Sequence, residues 1–149
     1  MKVLLVEDEP LAADRLALLI KQYDPAIDIL GSLQSIDETV QWLRTKAHPD
    51  LLFLDIRLSD GHSFEIFKQV NINKPVIFTT AYDNYAIDAF RHFSIDYILK
   101  PVTLESLAAA IEKFKLALEK NSSYTEAQQG LAVALYNSKQ YKEAVEAFV

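Results

Sequence analysis

Residues 51–61 read Leu51-Leu52-Phe53-Leu54-Asp55-Ile56-Arg57-Leu58-Ser59-Asp60-Gly61. Four apolar residues end on a carboxylate, and an Asp-Gly turn signal follows. A short apolar run without alternation reads as a strand covered on both faces. Working outward, similar runs occupy Val3 to Val6, Ile27 to Leu30, Val76 to Phe78 and Ile95 to Leu99. Helical spacing fills the gaps. Ala12, Leu16, Leu19 and Ile20 share one face, and Ile36, Val40, Leu43 and Ala47 another. Further helices are predicted from about Ser63 to Val70 and from about Asp83 to Arg91. A fifth carries Leu104, Leu107, Ala108, Ile111, Phe114 and Leu118, with Thr103 as its cap and no capping box, because Ser106 stands where Glu is usual.

Strand and helix therefore alternate five times. The expected fold is α/β: a doubly wound, parallel five-stranded sheet with helices on both faces. Residues 1–120 form this domain. Residues 121–149 read as a helical extension, because the alternation stops at Asn121-Ser122-Ser123 and two helical stretches follow, about 125–136 and 141–149. The chain stops at Phe148-Val149 without a polar ending, which is expected of a fragment.

The chain has 149 residues, 50% hydrophobic, enough for a core without covalent staples. It contains no Cys, which excludes disulfides, iron–sulfur clusters and thiolate zinc sites. A formal charge of -6 gives no argument for a nucleic-acid-binding face. Glu7, Asp8 and Glu9 interrupt the first apolar run at once, so no signal peptide is read there, and no run approaches a membrane span. A cytoplasmic domain is expected. His48, His62 and His92 have no ligand spacing and receive no metal role.

The chemistry is expected at the carboxyl edge of the sheet, where open parallel sheets hold ligands. Glu7 and Asp8 follow the first strand and Asp55 the third. Clustered carboxylates repel each other and persist where a cation neutralises them. Oxygen ligands without Cys or a nearby His read as magnesium. A carboxylate beside that metal can act as a nucleophile toward phosphorus. Thr80 ends the fourth strand and Lys100 the fifth, ready to contact phosphoryl oxygens or Asp55. A single acid at a strand end usually faces solvent. The argument rests on the coincidence of acids at strands one and three, a hydroxyl at four and an ammonium at five.

The stretches VLLVEDEPLAADRL, LLFLDIRLSDG, VIFTTAYDNYAIDAF and IDYILKP resemble the receiver domain of bacterial two-component response regulators, in its LytR/AlgR-type form, over about residues 1–119. The resemblance implies the strand order 2-1-3-4-5. It makes Asp55 the phosphoacceptor, Asp8 the direct magnesium ligand, Glu7 a ligand through water, and the carbonyl of Arg57 a further ligand. It makes Thr80 the switch hydroxyl, Lys100 the phosphoryl-binding lysine and Tyr97 the aromatic switch residue, with Ala81 leaving access to the site. Ser59 and Ser63 depart from the Pro and Gly usual in the loop after the acceptor.

The implied partner is a sensor histidine kinase or phosphotransfer protein. The implied response is a change in the surface formed by the fourth helix, fifth strand and fifth helix, which often pairs receivers into homodimers. Tyr82, Tyr85, Phe90, Phe93 and Tyr97 crowd that region. Two other readings stand beside this one. A hydrolase with an Asp nucleophile normally needs a second acid two residues on, where Arg57 stands. A binding scaffold would use the same surfaces without phosphorylation. A switch that catalyses only its own phosphorylation and dephosphorylation, rather than an enzyme of turnover, is the expectation.

Residues 125–148, TEAQQGLAVALYNSKQYKEAVEAF, resemble one tetratricopeptide repeat through Ala127, Ala134, Tyr141 and Ala144, with Gly130-Leu131 reversed from the common order. One repeat cannot bury its own apolar face, so either more repeats are expected to follow or these helices pack on the receiver or on a second copy, as a protein-binding or self-association element. The plain alternative is an extension of the fifth helix.

Overall fold

The computed structural model describes residues 1–81 and 94–120. The predicted fourth helix, most of the aromatic group around it and the repeat-like segment 121–149 lie outside the described residues.

The elements run β1 (Lys2–Val6), α1 (Pro10–Tyr23), β2 (Asp28–Leu33), α2 (Ile36–Thr45), β3 (Leu51–Asp55), β4 (Arg57–Leu58), β5 (Gly61–His62), α3 (Glu65–Gln69), β6 (Val76–Thr80), β7 (Ser94–Leu99) and α4 (Leu104–Lys120). The last is the fifth helix of the sequence reading. Five strands form one parallel sheet in the order β2-β1-β3-β6-β7, and β4 pairs with β5 in a separate antiparallel ladder. With that small ladder set aside, the order is the expected 2-1-3-4-5.

The apolar runs are continuous because both faces are covered. Val3, Leu5, Leu51, Phe53, Ile77 and Ile98 belong to one buried cluster, with Leu16, Leu19 and Ile20 of α1 and Leu107, Ala110, Ile111 and Phe114 of α4. Leu4, Val6, Leu52, Leu54, Val76 and Phe78 belong to the other, with Ile36, Val40 and Leu43 of α2 and Ile66 of α3. Each fully buried side chain of this size contributes about 1.5–3 kcal/mol. Leu104 and Leu118, expected on the apolar face of the last helix, are exposed.

Three local features differ from expectation. β2 continues through Gly31 to Leu33 instead of ending at Leu30. Trp42 lies across it, and a Cβ at Gly31 would sit 3.3 Å from the indole ring. α3 is shorter than predicted, and residues 57–62 fold back as the β4–β5 hairpin, whose Gly61 has φ 137°. At the start of α4, Ser106 serves where Glu was missed. Its N–H donates to Thr103 Oγ1 at 3.1 Å, and Thr103 N–H donates back to Ser106 Oγ at 3.0 Å.

Candidate functional site: an acidic pocket at the carboxyl edge

Strand parity prepares the site. Glu7, Asp55 and Lys100 continue the alternation of Leu5, Phe53 and Ile98, so all three reach the α1–α4 side at the top of the sheet. β1 and β3 are neighbours, with Val6 paired to Leu54. This brings Glu7, Asp8 and Asp55 together, and one oxygen from each lies within 4.8 Å of the others. Glu7 and Asp55 are buried, and Asp8 is half-buried.

Lys100 closes the pocket. Its ammonium bonds Glu7 Oε1 and lies 3.0 Å from Asp55 Oδ2. Its backbone N–H donates to the carbonyl of Thr80 at 2.7 Å, and its peptide bond to Pro101 is cis. α1 holds the following turn, because Arg15 donates through Nε and Nη2 to the carbonyl of Val102, each at 3.3 Å. A cavity of about 350 Å³ opens between α1 and this turn, with Glu7 and Lys100 in its wall beside Ala12, Leu16 and Val102.

Charge is unbalanced. Three carboxylates face one ammonium, so the ionised cluster carries a net negative charge. Burial pushes the pKa of Glu7 up from its ordinary range, and the hydrogen bond with Asp55 adds to that rise. Burial also raises Asp8, with Glu7 as the second cause. For Lys100, burial works to lower the pKa, but its hydrogen bonds to Glu7 and Asp55 prevail and hold it above 10.5. Closely set oxygen donors with excess negative charge fit a hard divalent cation.

Thr80 ends β6 and is fully buried. Its carbonyl accepts from the Lys100 N–H, but its side chain has the parity of Phe78, away from the face that Glu7, Asp55 and Lys100 reach, and Thr79 lines the cavity instead. Arg57 approaches through its backbone, whose N–H lies 3.4 Å from Asp55 Oδ1. Ala81, just past β6, is exposed. Tyr97 is not part of the carboxylate group. It pairs with Phe78 across β6–β7 and packs against the core on the α2–α3 side, sharing the parity of Thr80. His48 Nε2 bonds the carbonyl of Leu43 at 2.9 Å, and His62 makes a tilted ring contact with Phe64; neither belongs to the cluster of Glu7, Asp8 and Asp55.

Sequence reasoning missed two contacts that brace the pocket. One is the grip of Arg15 on Val102. The other is Asp60, read as a turn residue, whose carboxylate accepts from the N–H groups of Ile36 at 2.9 Å and Asp37 at 3.2 Å. Both partners are distant in sequence, and no local pattern announces them.

The family model described as response regulator receiver domain matches residues 3–112, and the chain belongs to that family. The sensory transduction protein LytT of Bacillus anthracis is 35% identical over 148 residues, which cover 97% of this chain and 58% of that protein. LytT of Enterococcus faecalis is 40% identical over 116 residues, 76% of this chain and 47% of the relative. The chain thus spans about half the length of the curated relatives it matches. The response regulatory domain of protein mrkE from Klebsiella pneumoniae superposes with a TM-score of 0.71 at 30% identity, covering 81% of this chain and 100% of that domain. The tetratricopeptide reading of 121–149 finds no support in these matches. The similarity to the Bacillus anthracis protein, spread over 97% of this chain, extends into that segment instead. Among the described residues, no helix is long and apolar enough to cross a membrane.

Proposed function

We propose that this receiver accepts a phosphoryl group on Asp55 from the phosphohistidine of a sensor kinase or phosphotransfer protein. The observation that carries the reading is the Lys100 ammonium set between Glu7 and Asp55, with Asp8 completing the acidic cluster. An Asp55 carboxylate oxygen attacks phosphorus and an O–P bond forms. The donor's P–N bond breaks, and its electron pair stays on the imidazole, which takes up a proton. Asp8, Asp55, the carbonyl of Arg57 and Glu7 would hold magnesium, which would supply charge neutralisation for the incoming oxygens. Lys100 takes one phosphoryl oxygen and Thr80 another. The apolar wall of the cavity that Glu7 and Lys100 line gives the donor protein a place to lodge a side chain.

Thr80 and Tyr97 share a face of the sheet, so a turn of the hydroxyl toward phosphorus opens space that Tyr97 fills. The result is a population shift on the surface around β7 and α4. That surface serves protein contacts, including pairing of two copies. Such a protein is a switch, with chemistry limited to its own acyl phosphate.

Intact-mass measurement after incubation with acetyl phosphate and magnesium tests the reading. One phosphoryl group is expected on the wild-type chain and none on Asp55→Asn. An unmodified wild-type protein would leave a scaffold that works without phosphorylation.

A further inference from the structure

The loop after the acceptor is fastened at a point remote from the chemistry. Ile56 N–H donates to the carbonyl of Thr79 at 3.1 Å, and the carbonyl of Ile56 accepts from Ser63 N–H at 2.8 Å. These bonds close the base of the β4–β5 hairpin, in which Arg57 pairs with His62 and Leu58 with Gly61. Leu58 is buried in the same cluster as Ile36, the first residue of α2. At the tip, the Asp60 carboxylate spans the N–H groups of Ile36 and Asp37. A Cβ at Gly61 would stand in van der Waals contact with Ile36 Cδ1 at 3.4 Å, and it is the φ of 137° that other residues would adopt only with strain.

The helix has its own cap as well. Ser35 Oγ accepts from Glu38 N–H at 3.1 Å, and Glu38 Oε2 accepts from Gln34 N–H at 2.8 Å. Asp60 therefore satisfies two donors of the first turn that the local cap leaves open, and adds a negative charge at the positive end of the helix. Its bonds are not needed to start α2. They tie the hairpin to it.

We infer that Asp60 is a positioning residue for the acceptor site: by pinning the hairpin tip to α2, it holds the backbone of Arg57 against Asp55. The inference rests on the reading of Asp55 as the acceptor and of the Arg57 carbonyl as a metal ligand. With the tip released, the hairpin keeps its base but its first arm swings more freely. Metal affinity and phosphorylation rate then fall together, while the fold persists.

The full chain is tested with manganese alone as the probe, titrated by loss of the free-ion electron paramagnetic resonance signal. The rate of modification by acetyl phosphate and the urea midpoint are measured alongside. Asp60→Ala is expected to weaken manganese binding roughly tenfold, as loss of a supporting partner does at other metal sites, and to slow modification. Asp60→Asn keeps one acceptor oxygen and should recover most of both. Ser35→Ala removes the local cap instead. It should lower the urea midpoint about as much as Asp60→Ala, with manganese binding unchanged. Equal manganese affinity in wild type and Asp60→Ala would overturn the inference, as would a matching loss in Ser35→Ala. If the wild type binds manganese but is never modified, the acceptor reading fails separately, and the positioning role is still decided by the metal titration.

Discussion

The two edges of the sheet carry the same residue types with opposite consequences. At the amino edge, Asp50 accepts from the backbone N–H of Lys2 at 2.8 Å while its own N–H donates to the carbonyl of Lys2 at 2.8 Å. Asp50 is exposed, and its bonds are matched one to one. At the carboxyl edge, Glu7, Asp8 and Asp55 crowd around one ammonium, largely out of water. An exposed, paired aspartate seals a strand end. A buried, over-subscribed cluster raises its own electrostatic energy and calls for a cation. Strand-end position alone does not separate the two. Parity, neighbouring strands and burial do.

Removing the ammonium should break the contrast most strongly. Lys100→Met leaves Glu7 and Asp55 facing each other without compensation. Breaking a buried pair costs 3–5 kcal/mol, and partial exposure of Lys100 discounts this to about 2 kcal/mol. Urea unfolding of the metal-free protein at neutral pH should show that loss, and magnesium should restore part of it. A variant as stable as wild type would mean that the cluster carries no excess charge.

A smaller effect sharpens the comparison through pH. The pKa values of Glu7 and Asp8 in the folded protein lie above their ordinary 4.5 and 3.8. The folded state therefore holds these protons more tightly than the unfolded chain. Their contribution to stability is full below the ordinary values and is withdrawn as pH rises through the raised ones. Lys100, raised above 10.5, keeps its contribution throughout that window and loses it only in alkali. Magnesium should accordingly lift the urea midpoint more at pH 7 than at pH 4. An equal lift at both would detach the metal effect from these carboxylates. The smallest change is expected at the amino edge. Asp50→Ala should cost about 0.5–1 kcal/mol for one exposed hydrogen bond, with unaltered modification of Asp55.

The same contrast explains what could be read from the residues. β1, β3 and β6 were legible because both faces of the sheet are covered, so their apolar runs have no gaps. The grouping of Glu7, Asp8, Asp55 and Lys100 was legible because each ends or follows a strand, and fold class then places strand ends together. Features that depend on one distant contact were not legible. β2 runs on through Gly31 by pairing with Leu4 of β1, and the missing Cβ leaves room for the indole of Trp42, a contact from another element. The hairpin of residues 57–62 stands against α2 because Asp60 finds donors 24 and 23 residues away. At α4 the Thr103 cap was legible and only its return bond escaped, since Ser106 makes with a hydroxyl the bond usually assigned to Glu.

The central claim is that Asp55, Thr80, Lys100 and the acidic pair form one metal-and-phosphoryl pocket. Fluorine NMR with beryllofluoride, a mimic of the phosphoryl group, tests it most directly. Bound fluorine resonances should appear in the wild-type protein only when magnesium is present, and should vanish in Asp55→Asn. Absence of bound signal with magnesium in the wild type, or its persistence in Asp55→Asn, would contradict the account.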